Sequence, residues 1–536
     1  MGELWMVMLA RREMVLATGA GFLLPAWARA ASSASLRAQT LVIAVASDPV
    51  GLEPAVNRAE PIGSEIILNV FDTLVAWGDA SQTMPEPRLA RSWTVSPDGC
   101  VTTFQLRTDV SFHDGTACDA EAVKFSLDRS LTHNSYTRAS LDAVQAVTVT
   151  GRWIVEIRLS RPIPFLLTLL AQPQAAIVSP TAVRSMGAAF ANTPVGSGPF
   201  RICHYDPDVS LILDAVPTYF RGAPGMRRIV YLVIADASTR RLMLENGDID
   251  ICQQNGQLSA LPMEDLKAYR RNPAIQVIEA PSQIMRQLEF NNRAAGGPTR
   301  DLRVRRAMAL AVDYDGLIDG VMDGTVDRAY GPLPSSNWAY DPTMERTAFH
   351  YDPVQARRLL REAGYAPGSI HLTLYTFQGS LWATVATFLQ ANFAAVGLDV
   401  RIEQVEFPSL RTIQTGGHFE VALDGREAWY NDPDAHITIG YLSSLADTAM
   451  TFRMPPDRAL DGLILEAQSC PDPVRRKALY GEIQHRIMDR VPGIYLFSNR
   501  VIVFARADIR GLKLSGAPPL TEYRSVHRDP AAGTGP

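Results

Sequence analysis

Apolar runs broken at Gly, Pro and Asp divide the chain, and the pattern is densest between Asn192 and Ile251. Gly196, Gly198 and Pro199 predict a turn that feeds a short strand at Phe200–Ile202; Val209–Val216 is a second apolar run and Tyr219–Pro224 a loop. Ile229–Ile234 is apolar at every position, which predicts a strand buried on both faces. Asp236 is placed to cap a helix over Ala237–Asn246, with Gly247 as the residue that ends it, and Asp248–Ile251 begins another strand. Strand, helix, strand at this spacing is a βαβ unit, and hence part of a parallel sheet.

The flanks read as separate bodies attached to this unit. Before it come a strand at Leu41–Ala46, a turn at Ser47-Asp48-Pro49 and a helix over Ile62–Val75. A hairpin then joins Trp93–Val95 to Val101–Leu106 across Ser96-Pro97-Asp98-Gly99, Asp119 caps a helix through Leu131, and Val147–Leu159 holds two strands turning at Gly151-Arg152. After the unit, Leu288–Asn292 is a strand end and Asp301 caps a helix over Leu302–Val312, with Val304, Ala307, Met308 and Ala311 at helical spacing; Asp313–Met322 is expected to continue helical. Strands at His371–Thr376 and Leu398–Val405 enclose a helix over Leu381–Val396, which gives a second α/β body. Phe419–Leu423 is a further strand, the loop Asp424–His436 is crowded with Trp, Tyr, Asp and Arg, and Pro473–Arg490 is a long helix before strands at Ile494–Phe497 and Val501–Phe504. The tail after Thr521 is expected to be disordered.

Composition narrows the function classes. With 47% apolar and 20% charged residues among 536, the chain is globular; a net charge of −5 without long like-charge blocks argues against nucleic-acid binding. Arg11-Arg12, the apolar stretch Met14–Ala26 and the small residues through Ala30 have the layout of an export signal, either twin-arginine or general secretory. That stretch is shorter than the ~20 residues a membrane span needs. The first cysteine is Cys100, so no lipid-anchor cysteine follows the signal, and the mature chain is expected to be free in solution in the periplasm. Five cysteines allow at most two disulfides. G-x-S-x-G, H-E-x-x-H and P-loop motifs are absent and the nine histidines lack metal-ligand spacing, so the sequence predicts no catalytic residue, metal or cofactor.

Seven segments become specific when taken in order: LARSWTVSPDG, FQLRTDVSFHDGTACDAEAVKFSLDRSL, TPVGSGPF, IADASTRRLMLENGDIDI, LEFNN, DLRVRRAMALAVDYDGLI and AGY. Together they resemble the extracytoplasmic solute-binding proteins of peptide and nickel ABC importers (family 5). The resemblance implies an α/β, two-lobed periplasmic-binding-protein fold of type II, with an extra subdomain inserted in the first lobe. Its implied divisions are a signal at 1–30, first-lobe segments at 40–83 and 192–287, the insertion at 84–191, a second lobe at 288–496, and a return to the first lobe with a tail at 497–536. It also implies a monomer that encloses a small solute between hinged lobes and delivers it to a membrane permease driven by ATPase subunits.

In the family's peptide binders an aspartate a few residues before an Asp/Glu-Pro pair holds the peptide ammonium. Here, in Gly425-Arg426-Glu427-Ala428-Trp429-Tyr430-Asn431-Asp432-Pro433, the position four before the proline is Trp429 and not an aspartate. Glu427 or Asp432 is then the substitute acid, Asp432 alternatively being a turn cap. Trp429 is an aromatic platform or a core residue, with Tyr430 beside it, and Arg426 a carboxylate ligand or a surface residue. Ser47 and Asp48 follow the first strand and face the expected cleft. Asn291 and Asn292 are expected at the crossing between lobes, as ligand or hinge groups, and His436 faces the cleft or packs in the core. The solute is peptide-like on this reading; a nickel chelate, an opine or an oligosaccharide is the alternative.

Overall fold

The computed structural model describes residues 36–57, 60–77, 85–253, 261, 266–294, 296–428, 430–446, 452–515 and 520–529. Its centre is an 11-stranded sheet: β1 (Thr40–Val45), β2 (Phe200–Asp206), β3 (Ser210–Ala215), β4 (Arg228–Val233), β5 (Ile251–Gln253), β6 (Ile275–Phe290), β7 (Val326–Arg328), β8 (Ile370–Phe377), β9 (Leu398–Val405), β10 (Val421–Glu427) and β11 (Gly493–Arg506). The order is β9-β8-β10-β6-β11-β5-β1-β4-β3-β2, with β7 also on β11.

All six residues of β1 are buried, as an apolar strand with parallel neighbours on both sides must be: β4 on one edge, β5 on the other. The helix between β4 and β5, Ala237–Asn246, is the one the sequence marks. The Asp236 carboxylate accepts from the Thr239 N–H, and Gly247 closes the helix at φ 81°, where a side chain would be strained. The segment between β1 and β2 carries a four-stranded antiparallel sheet (Ala90–Val95, Val101–Leu106, Ile154–Leu159, Val144–Gly151) under the helix Ala120–His133, with its own apolar core.

The second body is built on β8, parallel to both β9 and β10, with helices Leu302–Ala311 and Ser380–Ala395 against it. Its first helix stops where the sequence pattern runs on. Val312 is extended (φ −78°, ψ 121°), the Asp313 N–H goes to Asn392 Oδ1 at 2.6 Å, and the following turn, Gly316–Val321, is π-helical.

Two strands join the bodies. β6 is 16 residues long, and its ladder with β11 comes in two parts. Ile275–Pro281 pairs with Arg506–Arg500 in the first lobe, Met285–Glu289 with Ser498–Gly493 in the second, and the register shifts between Pro281 and Met285. Ser282 Oγ takes over there, donating to the Asn499 carbonyl at 2.6 Å and accepting from the Ile284 N–H. A break in the ladder held by side chains is where two rigid bodies can turn on each other.

The first part of the tail, residues 521–529, is ordered, contrary to the sequence reading, and residues 530–536 lie outside the described residues. Asn69 donates to the Thr521 carbonyl and accepts from the Tyr523 N–H, Tyr523 is fully buried, and Arg528 reaches buried Asp250 at 2.7 Å, which Arg37 also grips with two hydrogen bonds. The five cysteines are free thiols, and no helix among the described residues is long and apolar enough to cross a membrane.

Candidate functional site

In an open α/β sheet, groups that bind solutes collect at the carboxyl ends of the strands. Here strand register runs β1 in the first lobe and β8 and β10 in the second with their carboxyl ends towards the β6 crossing; the Ala428 N–H, just past β10, donates to the Gln283 carbonyl within it at 3.2 Å. Ser47 is exposed beyond β1. Asp48 is half-buried, accepts the Tyr205 hydroxyl on Oδ2, and has no hydrogen-bond partner on Oδ1 among the described residues. Glu427 is the last residue of β10, and its Oε1 also lacks a hydrogen bond among the described residues. Trp429 lies outside the described residues.

Several expected ligand groups have other work. Asp432 holds Arg476 with one oxygen on each terminal nitrogen, both at 2.7 Å, and both residues are buried. Arg426 is neither a surface residue nor open to a solute carboxylate: it is buried, donates to Glu289 Oε1 at 3.1 Å and stacks its guanidinium 4.6 Å from the centre of the Phe452 ring. Asn291 and Asn292 stand past the end of β6 and not at the crossing, which the ladder puts at Pro281–Met285. Asn291 Nδ2 donates to the Gly417 and Phe419 carbonyls, and Asn292 Nδ2 to those of Phe290, Phe452 and Pro492, all within the second lobe.

Tyr430 reaches across to the other body. Its ring stacks on Phe165 of the inserted subdomain, centroids 6.0 Å apart and planes at 5°, and it packs into that subdomain's core. The Arg476 guanidinium covers the same Phe165 ring at 5.1 Å. The lobes therefore meet through an aromatic ring of the first and a tyrosine and an arginine of the second. Nothing near Phe165 in the sequence signals this contact.

His436 is wholly buried, and burial with the neighbouring Arg426 charge pushes its pKa down from 6.5 to about 3. Below pH 6.5 the unfolded chain takes up a proton that the folded chain refuses, so stability falls as the pH drops from 6.5 towards 3. Glu289, which burial raises to about 7 against the pull of Arg426, works the other way between 7 and 4.5. The difference between wild type and His436→Gln isolates the histidine. Urea unfolding at pH 7 and pH 5 should show the wild type losing ~2 kcal/mol more than the variant. Equal losses would mean that His436 is protonated in the folded protein.

The sequence reading missed Arg286, one rung past the crossing on β6, and Trp382, whose ring lies 5.2 Å from the Arg286 guanidinium. The available signal is the alternation along the strand, which puts Arg286 on one face with apolar Ile284, Leu288 and Phe290. Among the described residues no three or more His, Cys, Asp or Glu side chains converge as metal ligands.

Residues 84–445 match the model for the middle part of the bacterial extracellular solute-binding proteins, family 5. Over 480 residues the chain is 28% identical to the probable D,D-dipeptide-binding periplasmic protein DdpA of Escherichia coli K12, covering 88% of this chain and 90% of that one. It is 27% identical to the glutathione-binding protein GsiB of Pectobacterium atrosepticum, covering 92% and 94%. Among solved structures it is similar to the periplasmic binding protein DppA of Helicobacter pylori in complex with the peptide STSA (25% identity, TM-score 0.77, 91% and 98% covered). It also shares the fold of NikA from Brucella suis in complex with Fe(III)-EDTA (24%, TM-score 0.82, 91% and 100%). With that match across most of its length, and with two lobes joined at a broken pair of strands, the chain belongs to the bacterial extracellular solute-binding proteins of family 5.

Proposed function

We propose that this protein is the receptor of an ABC importer that captures a peptide-like solute between its lobes, releases it chemically unchanged to a membrane permease, and works as an exported, soluble monomer. The observation that carries the peptide reading is the pair of opposite charges beside the crossing, Glu427 and Arg286, 3.7 Å apart and each with polar atoms that no hydrogen bond among the described residues satisfies. A zwitterion supplies what each lacks: an ammonium for Glu427 and a carboxylate for Arg286. The names of the relatives, dipeptide- and glutathione-binding proteins, point to the same chemistry.

A second reading is a metal chelate rich in carboxylates. It is favoured by Trp429 standing where the peptide binders have their aspartate, and by the likeness to NikA.

Mass spectrometry of the solute that accompanies the protein through purification, released by denaturation, separates these readings. Peptide masses support the first, and a chelate without peptide the second. A solute converted to a product during incubation with the protein would contradict both.

A further inference from the structure

Arg286 is 2% exposed, yet two of its three nitrogens lack a hydrogen bond among the described residues, in contrast to buried Arg476 and Arg305. Arg476 has both Asp432 oxygens, and Arg305 donates to four backbone carbonyls, those of Val491, Thr299, Arg300 and Arg490. On Arg286, Nε and Nη1, which carry three of its five N–H groups, meet no acceptor among the described residues. The nearest acid oxygen, Glu427 Oε1, stands 3.7 Å from Nη2, too far for a direct hydrogen bond.

The surroundings hold the guanidinium in place. Trp382 presents its ring 5.2 Å away, an attractive cation–π distance. Opposite, a Cβ at Gly425 would fall 2.1 Å from Nη1, so the side chain lies against β10 because residue 425 has none. Guanidinium remains charged even where burial disfavours it, as here. A fixed cation with free donors one rung from the crossing calls for an anion.

We propose that Arg286, floored by Trp382, is the oxyanion subsite of the cleft and takes a carboxylate of the bound solute through the guanidinium donors that are left unmet. This rests on the reading of the crossing as the solute site, and it makes a free carboxylate a requirement for binding.

The test is a set of thermal-shift and calorimetric titrations with acid and neutral pairs: alanyl-alanine against alanyl-alaninamide, Ni(II)-histidine against Ni(II)-histidinamide, and gluconate against glucose. In whichever pair binds, the acid should be about 10- to 100-fold tighter in the wild type. The preference should shrink to within about threefold in Arg286→Gln and stay intermediate in Arg286→Lys, which keeps the charge and loses the fork. Should Arg286→Gln fail to fold, Trp382→Leu, which removes the floor along with the edge contact on Phe377, should also narrow the preference.

Equal binding of acid and neutral members by the wild type overturns the subsite while leaving a peptide receptor intact. Preferential binding of the nickel-histidine acid with no peptide binding overturns the peptide reading while leaving Arg286 intact. A preference that survives Arg286→Gln, or no acid raising the Tm, overturns the proposal.

Discussion

Replacing Asp432 by alanine should destabilise the protein by ~3–5 kcal/mol, seen as a lower urea midpoint at unchanged slope. Both partners of the Asp432–Arg476 pair are buried, and the guanidinium is already fixed by the Ala467 carbonyl and by the rings of Phe165, Trp338 and Tyr480. It cannot follow its lost carboxylate into water, so the cost is that of a buried, uncompensated cation and not of one contact. Asp434 lies close, and burial together with the Asp432 charge holds its pKa up; removing Asp432 lets it ionise and offsets part of the loss. Replacing both members, Asp432→Asn with Arg476→Met, should recover most of the stability. A loss below ~1 kcal/mol in the single variant would put the pair in the class of exposed ion pairs and refute its buried role.

Truncating Phe165 to alanine should weaken solute binding roughly 5- to 150-fold. The ring joins the two lobes through its stack on Tyr430 and its seat under Arg476, together worth ~1–3 kcal/mol to an arrangement that keeps them in contact. A solute held by both lobes binds less tightly as closure is disfavoured, by that same free energy. Phe165 also fills the core of the inserted subdomain, so its loss lowers stability as well. Tyr430→Ala separates the two effects, since it removes the stack from the other side. Calorimetry should show both variants weakened for the same solute; unchanged affinity in Tyr430→Ala would mean that this contact does not bear on closure.

The parts of this fold that could be read from sequence are those fixed within a few residues. Asp236 and Gly247 bracket their helix because a cap accepts from an N–H three positions on and a left-handed residue suits glycine. The crossing is different. Its break depends on Ser282 reaching Asn499, 217 residues away, and on a strand whose apolar pattern Pro281 interrupts. The same holds in the site. Arg426 meets Glu289 across 137 residues and Asp432 meets Arg476 across 44, so the sequence offers these charged groups without showing which are already engaged. Asn291 and Asn292 looked like ligands because they are polar beside a strand end; carbonyls brought by distant segments use their amides. The tail misled in the same way, since what orders Tyr523 is Asn69, 454 residues earlier.

Two lobes that turn about the break at Pro281–Met285 and shut on a solute make the molecule more compact as it binds. Small-angle X-ray scattering on protein freed of its solute by unfolding and refolding, with the released solute then titrated back, tests this most directly. A radius of gyration that falls on saturation, towards that of the structure described here, is the predicted result. A scattering curve that stays the same from solute-free to saturated protein would contradict it.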